Sequence, residues 1–327
     1  MNSVGIDISK GRSTIAVMRP FGEVAISPFE VRHTDSELSE LARRLKSLNG
    51  ETRVVMEATG NYHAPVAKQL HDAGLYVSVV NAKLVHGYGN NDLRRVKTDR
   101  KDAIKLANYG LDRWLTLPRY IPEENTRLLL KNCYRQYRQY SKVQTVLKNN
   151  LISLLDMTFP NANRLFNSPA RADGSEKWVD FVAEFWHCEC VSERPLKSFV
   201  NKYWRWCRKH GYNFSEEKAH AIYDEASGHI GVMPKSETTK LLVEQAVSQL
   251  SATSAALAVL KQEMQSLSSQ LPEYPVVMDM FGVGPTLGPQ LIAEIGDVRR
   301  FYSKKALVAY AGIDAPPNDS GSVGTRA

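Results

Sequence analysis

Lys97-Thr98-Asp99-Arg100-Lys101-Asp102-Ala103 sets two carboxylates three residues apart, on one face of a helix, with Cβ atoms roughly 5–6 Å apart. Two acids so placed repel each other unless a cation joins them. Hard divalent cations such as Mg²⁺ prefer carboxylate oxygen and keep several of their waters. Arg100 and Lys101 sit between the acids, and Arg94, Arg95 and Lys97 lie just upstream, so a polyanion could be held over such a cation. Taken alone, the stretch also reads as a solvated helix of mixed charge, and its neighbours in the chain decide between the two.

Working outward, the N-terminal hundred residues supply further acids. Ser3-Val4-Gly5-Ile6-Asp7-Ile8-Ser9 alternates as a β-strand, with Asp7 on the face opposite Ile6 and Ile8. Gly11 leads into a second strand, Ser13 to Met18, and a turn at Phe21-Gly22-Glu23 leads into a third, Val24 to Ile26. Thr34 caps a helix to about Leu48 with Leu38, Leu41 and Leu45 on one side. Arg53-Val54-Val55-Met56-Glu57-Ala58-Thr59-Gly60 then reads as a strand buried on both faces, ending on an acid and a glycine turn. Open α/β sheets place their chemistry at such carboxyl ends. A helix from Ala64 to Ala73 and a fifth strand, Tyr76 to Val80, precede the opening stretch. Three strands, then alternating helix and strand, with acids on the first strand, the fourth and a late helix, describe an α/β RNase H-like sheet. Asp7, Glu57, Asp99 and Asp102 would converge there on one or two metal ions.

Charge distribution points the same way. The chain has 327 residues and a formal net charge of +7, but Arg94 to Lys148 alone carries 14 Lys/Arg against 5 Asp/Glu, leaving the rest slightly acidic. A basic block in an otherwise balanced protein suits phosphate backbones, or else a solvated helix face. Cys133, Cys188, Cys190 and Cys207 are too few for a disulfide framework, which suits a reducing cytoplasm. The N-terminus reads as a strand rather than a signal peptide, and no apolar run approaches the ~20 residues of a membrane span, so a soluble intracellular protein is expected.

Gly5-Ile6-Asp7, Glu57-Ala58-Thr59-Gly60 with Tyr62, Val80-Asn81, and Lys97-Thr98-Asp99 with Asp102-Ala103 together resemble the DEDD transposases of bacterial insertion sequences. That group has a RuvC-like N-terminal domain and includes the pilin-gene invertase. The resemblance implies a DNA transposase or site-specific recombinase in which Asp7, Glu57, Asp99 and Asp102 bind Mg²⁺, as one or two ions. It also implies an element-encoded guide RNA and a cytoplasmic, nucleoid-associated location.

Downstream, Pro122 to about Asp156 reads as one long helix with Leu129, Cys133, Tyr137, Tyr140, Leu147, Leu151 and Leu154 at 3–4 spacing. Arg127, Lys131, Arg135, Arg138 and Lys142 decorate it as candidate nucleic-acid contacts, and its tyrosines either stack on unpaired bases or pack a core. Residues 161 to about 235 form a separate helical block rich in tryptophan. There His187-Cys188-x-Cys190 and Cys207-x-x-His210 raise zinc, whereas Tyr203, Trp204 and Cys207 instead fit one helical stripe. A second long helix, Glu237 to about Leu267, would pair antiparallel with the first as a coiled-coil arm. Met280-Phe281-Gly282-Val283-Gly284-Pro285 before a helix from Thr286 to Ile295 resembles a helix-hairpin-helix, whose Gly282 and Gly284 backbone can meet a phosphate.

Beyond it, Gly296-Asp297, Ala309-Tyr310-Ala311-Gly312 and Asp319-Ser320-Gly321-Ser322 resemble the serine-bearing C-terminal domain of the same transposases, and the match makes Ser320 the nucleophile. Family members continue past Gly324-Thr325-Arg326 into further helices, so a truncated serine domain is expected. The expected layout is a RuvC-like domain over 1–118, arm helices over 119–160 and 236–271 flanking an insert over 161–235, and a small α-helical domain over 272–327. Sites on different domains favour assembly between protomers as a dimer or tetramer. Two other readings stand beside the recombinase: an inactive nucleic-acid-binding remnant, and an actin-like or sugar-kinase ATPase. The ATPase reading lacks the second glycine-rich phosphate loop it needs.

Overall fold

The computed structural model describes residues 1–58, 60–88 and 98–313, and it divides the chain into two compact units, Met1–Glu123 and Glu124–Ala327. The first unit holds β1 (Asn2–Ser9), β2 (Arg12–Met18), β3 (Val24–Arg32), α1 (Asp35–Lys46), β4 (Thr52–Glu57), α2 (His63–Asp72), β5 (Tyr76–Val80), α3 (Ala82–His86) and α4 (Asp99–Asp112). Its five strands lie in the order β3-β2-β1-β4-β5. β1, β2 and β3 are antiparallel neighbours, whereas β1, β4 and β5 run parallel. This is the RNase H-like sheet.

Period-2 alternation explains how the sheet is covered. Val4, Ile6 and Ile8 of β1, with Val54 and Met56 of β4, pack in one core with Leu38, Leu41 and Leu45 of α1 and Val66 and Leu70 of α2. The opposite face of β1 carries Ser3, Gly5 and Asp7, small or polar, and α4 packs there. A Cβ on Gly5 would lie 2.0 Å from the Ala103 carbonyl oxygen and 2.4 Å from the Ala107 nitrogen. Gly110 answers it from the helix, where a Cβ would meet Ser3 Oγ at 2.3 Å. Helix and strand therefore touch backbone to backbone. β3 is longer than its sequence suggested, since Ser27-Pro28 falls where its register with β2 shifts, and an edge strand tolerates that proline.

The second unit is helical: α5 (Asn125–Thr158), α6 (Lys177–Glu184), α7 (Glu189–Ser192), α8 (Leu196–His210), α9 (Glu216–Gly228), α10 (Glu237–Ser269), α11 (Tyr274–Met278), α12 (Leu287–Ile295) and α13 (Lys304–Tyr310). α5 and α10 lie antiparallel: Leu130 packs with Met264 and Leu267, Gln144 Nε2 donates to Ser254 Oγ at 2.9 Å, and Leu151 and Leu155 share a core with Val243 and Leu250. The buried stripe of α5 runs through Leu130 rather than Leu129, which is 55% exposed. Tyr137 packs partly buried against the cluster around Leu130. The tryptophan-rich segment is not a separate block. Phe181, Phe185, Tyr203 and Trp206 share one continuous core with Leu151, Leu155 and Phe159 of the α5 end and Val243 of α10. Among the described residues, no helix is long and apolar enough to cross a membrane.

Arg127 departs most from its expected role. It is 6% exposed, and its guanidinium grips both carboxylate oxygens of Glu273, with Nη2 to Oε2 at 2.9 Å. It ties the start of α5 to the segment after α10 and offers nothing to a phosphate. Hydrogen bonds from Arg127 hold the Glu273 carboxyl below the usual carboxylate range. A depressed folded pKa contributes stability that is present above the ordinary Glu value and is lost as pH falls through the folded one. Arg127→Ala is expected to cost about 3 kcal/mol at neutral pH, the low end for breaking a buried pair, because Glu273 keeps 19% of its side chain in water. In thermal melts, the gap between wild type and variant should narrow as pH drops below the ordinary Glu range.

Candidate active site

Two neighbouring parallel strands carry the first two acids. β1 and β4 pair Gly5 with Val55 and Ile6 with Met56, and the next step of that register sets Asp7 beside Glu57 at the carboxyl edge of the sheet. α4 brings the other two. Its first turn holds Asp99 and Asp102, and Thr98 caps it, accepting from the Lys101 nitrogen at 3.4 Å. Because Gly5 lets α4 sit directly on β1, that first turn arrives over the strand end bearing Asp7. Asp7, Glu57, Asp99 and Asp102 all line one cleft of about 510 Å³.

The donor set is wholly carboxylate, which suits a hard divalent cation. Among the described residues, no three acidic, histidine or cysteine side chains stand close enough to form a ready-made metal cluster. Mg²⁺ demands no such cage, since it is held through one or two carboxylates together with waters and substrate phosphate. The residues present therefore fit such an ion.

Three basic side chains that the sequence reading did not single out share the cleft: Lys83 and His86 of α3, and Lys105 of α4. Asn81 fixes α3 as its N-cap, accepting from the Lys83 nitrogen at 2.9 Å. Lys105 Nζ reaches the His86 carbonyl oxygen at 3.5 Å, and the Tyr88 hydroxyl donates to Asp112 of α4. Burial, reinforced by that bond, pushes the Tyr88 phenol up to about 12, so it stays a donor. The spacing of Lys105 three residues after Asp102 was the one available signal, since it places both on one helix face. Carboxylates and lysines lining one cleft suit a hard cation and a phosphodiester respectively.

The remaining candidates fall in different places. Arg100 and Lys101 are exposed at the start of α4, and Arg135, Arg138 and Lys142 are exposed along α5, whereas Lys131 is half-buried. Arg94, Arg95, Lys97 and Ser320 lie outside the described residues. Gly282 takes a φ of +80°, and both it and Gly284 face open space in the turn between α11 and α12. The zinc alternative fails. Cys207 is buried in the α8 stripe, His210 packs on Trp206, and His187 Nε2 meets the Met233 carbonyl oxygen at 3.0 Å. With Cys188 and Cys190, these residues form no metal-holding group among the described residues. Trp204 also leaves the predicted stripe and is 41% exposed.

Comparison with known proteins adds an independent line. Residues 4–160 match the family described as the DEDD transposase of IS110, and residues 274–327 match the transposase IS116/IS110/IS902 family. The insertion element IS116 uncharacterized 44.8 kDa protein of Streptomyces clavuligerus is 24% identical over 319 residues, covering 97% of this chain and 77% of its own length. The pilin gene-inverting protein of Moraxella bovis is 27% identical over 134 residues, 41% of this chain and 38% of that protein. Among solved structures, Thermus thermophilus RuvC in complex with Holliday junction substrate aligns with 37% of this chain and 99% of its own, at 13% identity and a TM-score of 0.28. Matched at both ends, and related through most of its length to an insertion-element protein, the chain belongs to the IS110 family of transposases.

Proposed function

We propose that this chain is a DNA recombinase of an insertion sequence that cuts and rejoins strands with Mg²⁺-bound carboxylates and a serine nucleophile, guided by an element-encoded RNA. The gathering of Asp7, Glu57, Asp99 and Asp102 around one cleft of an RNase H-like sheet is the observation that carries this reading. Those four residues would hold Mg²⁺, which supplies Lewis-acid polarisation of a phosphoryl oxygen. Lys83 and Lys105 would bind and orient the phosphodiester by charge, and the exposed Arg100 and Lys101 at the mouth of α4 would extend that grip.

Ser320, outside the described residues, would attack the phosphorus: its Oγ–P bond forms as the P–O bond to the leaving deoxyribose breaks. Its proton passes to solvent or a neighbouring base, and the phosphodiester energy is kept for rejoining. Arg135, Arg138 and Lys142 on α5, and the Gly282–Gly284 turn, would contact further nucleic acid. Carboxylates and serine come from distant parts of the chain, which favours a dimer or tetramer.

The test incubates the chain with Mg²⁺, its element's end DNA and flanking RNA, then resolves the products on a denaturing gel. A covalent protein–DNA band that disappears in Ser320→Ala is the expected result. Salt-sensitive binding with no such band would overturn the recombinase reading and leave a nucleic-acid-binding remnant.

A further inference from the structure

α8 contains no Asp or Glu in its fifteen residues, and its two faces differ completely. Phe199, Tyr203, Trp206 and Cys207 form the buried face. Lys197, Asn201, Trp204, Arg205 and Arg208 are exposed, and their spacing of four, three, one and three puts them on the opposite face. Arg194, just before the helix, continues that face and borders an open groove of about 620 Å³ with Lys197, Ser198, Asn201 and Arg205. From Lys197 to Arg208 the face runs ~16 Å along the helix axis.

Two of the nearby carboxylates are already engaged, while Glu189 and Glu237 border a neighbouring pocket that shares only Arg194 and Lys202 with this groove. Glu184 pairs with Lys202 at 3.4 Å, and Glu193 pairs with Lys235. Among the described residues, Arg194, Lys197, Arg205, Arg208 and Lys209 form no ion pair. Amid these cations the Trp204 indole is 41% exposed, with the Arg208 guanidinium 5.0 Å from its ring centre. A docked protein helix would call for a continuous apolar patch, and this face has a single aromatic ring in a cationic field. Its complement is a polyanion carrying flat apolar rings. A polynucleotide with unpaired bases answers that description, because base–aromatic stacking is sequence-tolerant and needs an open π-face.

We propose that the outer face of α8 binds an unpaired polynucleotide strand, with phosphates on Arg194, Lys197, Arg205 and Arg208 and a base stacked on Trp204. The inference rests on the reading of the chain as a nucleic-acid enzyme but uses no residue of the acidic cleft and no step at Ser320.

The test titrates the full chain, without divalent cation, against fluorescein-labelled 20-mers: a DNA strand, an RNA strand of the same sequence, and a duplex. Trp204→Ala is expected to weaken single-strand binding about tenfold, the lower part of the range for one lost stack, and to leave duplex binding within about twofold. Trp204→Phe restores most of the loss. The strand type with the larger loss identifies the natural ligand. Arg194→Ala/Lys197→Ala/Arg205→Ala is expected to flatten the dependence of log K on log salt by about 2, near 0.7 per lost phosphate contact. All these side chains are exposed, and unchanged circular dichroism confirms folding. Wild-type affinity and salt slope in every variant would overturn the proposal, as would equal losses on single strand and duplex in Trp204→Ala. The denaturing-gel assay reads Ser320 and this titration reads α8, so a chain that binds strand without cleaving it fails only the first.

Discussion

Gly5→Ala is expected to destabilise the first unit by about 1–3 kcal/mol, and Gly5→Val by more, because added methyl groups here overpack against backbone. The atoms in the way are the Ala103 oxygen at 2.0 Å and the Ala107 nitrogen at 2.4 Å. Neither can rotate aside as a side chain would, so the helix itself has to move. α4 carries Asp99 and Asp102, and moving it takes two of the four acids away from Asp7 and Glu57. Cleavage should therefore fall even where the fold survives. Gly110→Ala offers the comparison. Its new methyl meets Ser3 Oγ at 2.3 Å and Val55 Cγ2 at 2.8 Å, both on side chains. Alanine also regains about 1 kcal/mol of helix propensity over glycine. Urea midpoints should then order wild type, Gly110→Ala and Gly5→Ala from highest to lowest. A Gly5→Ala midpoint equal to wild type would mean that α4 does not rest on β1.

That contact also shows what could be read without coordinates. Alternation along β1 put Asp7 opposite Ile6 and Ile8, and the apolar run Val54-Val55-Met56 marked a strand covered on both faces, as the structure has it. Local signals carry such features, since strand period, caps and turns lie within a few residues of the side chains they govern. Arg127 was misread for the opposite reason. Along α5 it looks like Arg135, and only Glu273, 146 positions away, separates the buried residue from the exposed one. Trp204 and Trp206 stand two apart on α8, and a shift of a fraction of a turn decides which enters the core. Lys83 and His86 were missed because their place depends on α3 folding back to α4 through Lys105 and Tyr88, a tertiary matter with little trace in spacing.

Asp7→Asn is expected to lower single-turnover cleavage of end DNA by on the order of 10²–10³-fold while leaving the fold intact, the size seen when one preorganised electrostatic group is removed from a transition state. Asparagine keeps the shape of the side chain and removes the charge that would hold a divalent cation. Glu57→Gln should cost a similar factor, because Glu57 lines the same cleft as Asp7 on the neighbouring parallel strand. The double variant is the sharper measurement. Residues that serve one centre act as a unit, and removing the second costs little once the first is gone. Asp7→Asn/Glu57→Gln should then cleave no more slowly than the worse single variant by more than about tenfold. If the two losses multiplied instead, the carboxylates would be serving separate steps, and a single four-acid centre would be untenable. If neither substitution slowed cleavage, the chemistry would have to lie outside this cleft altogether.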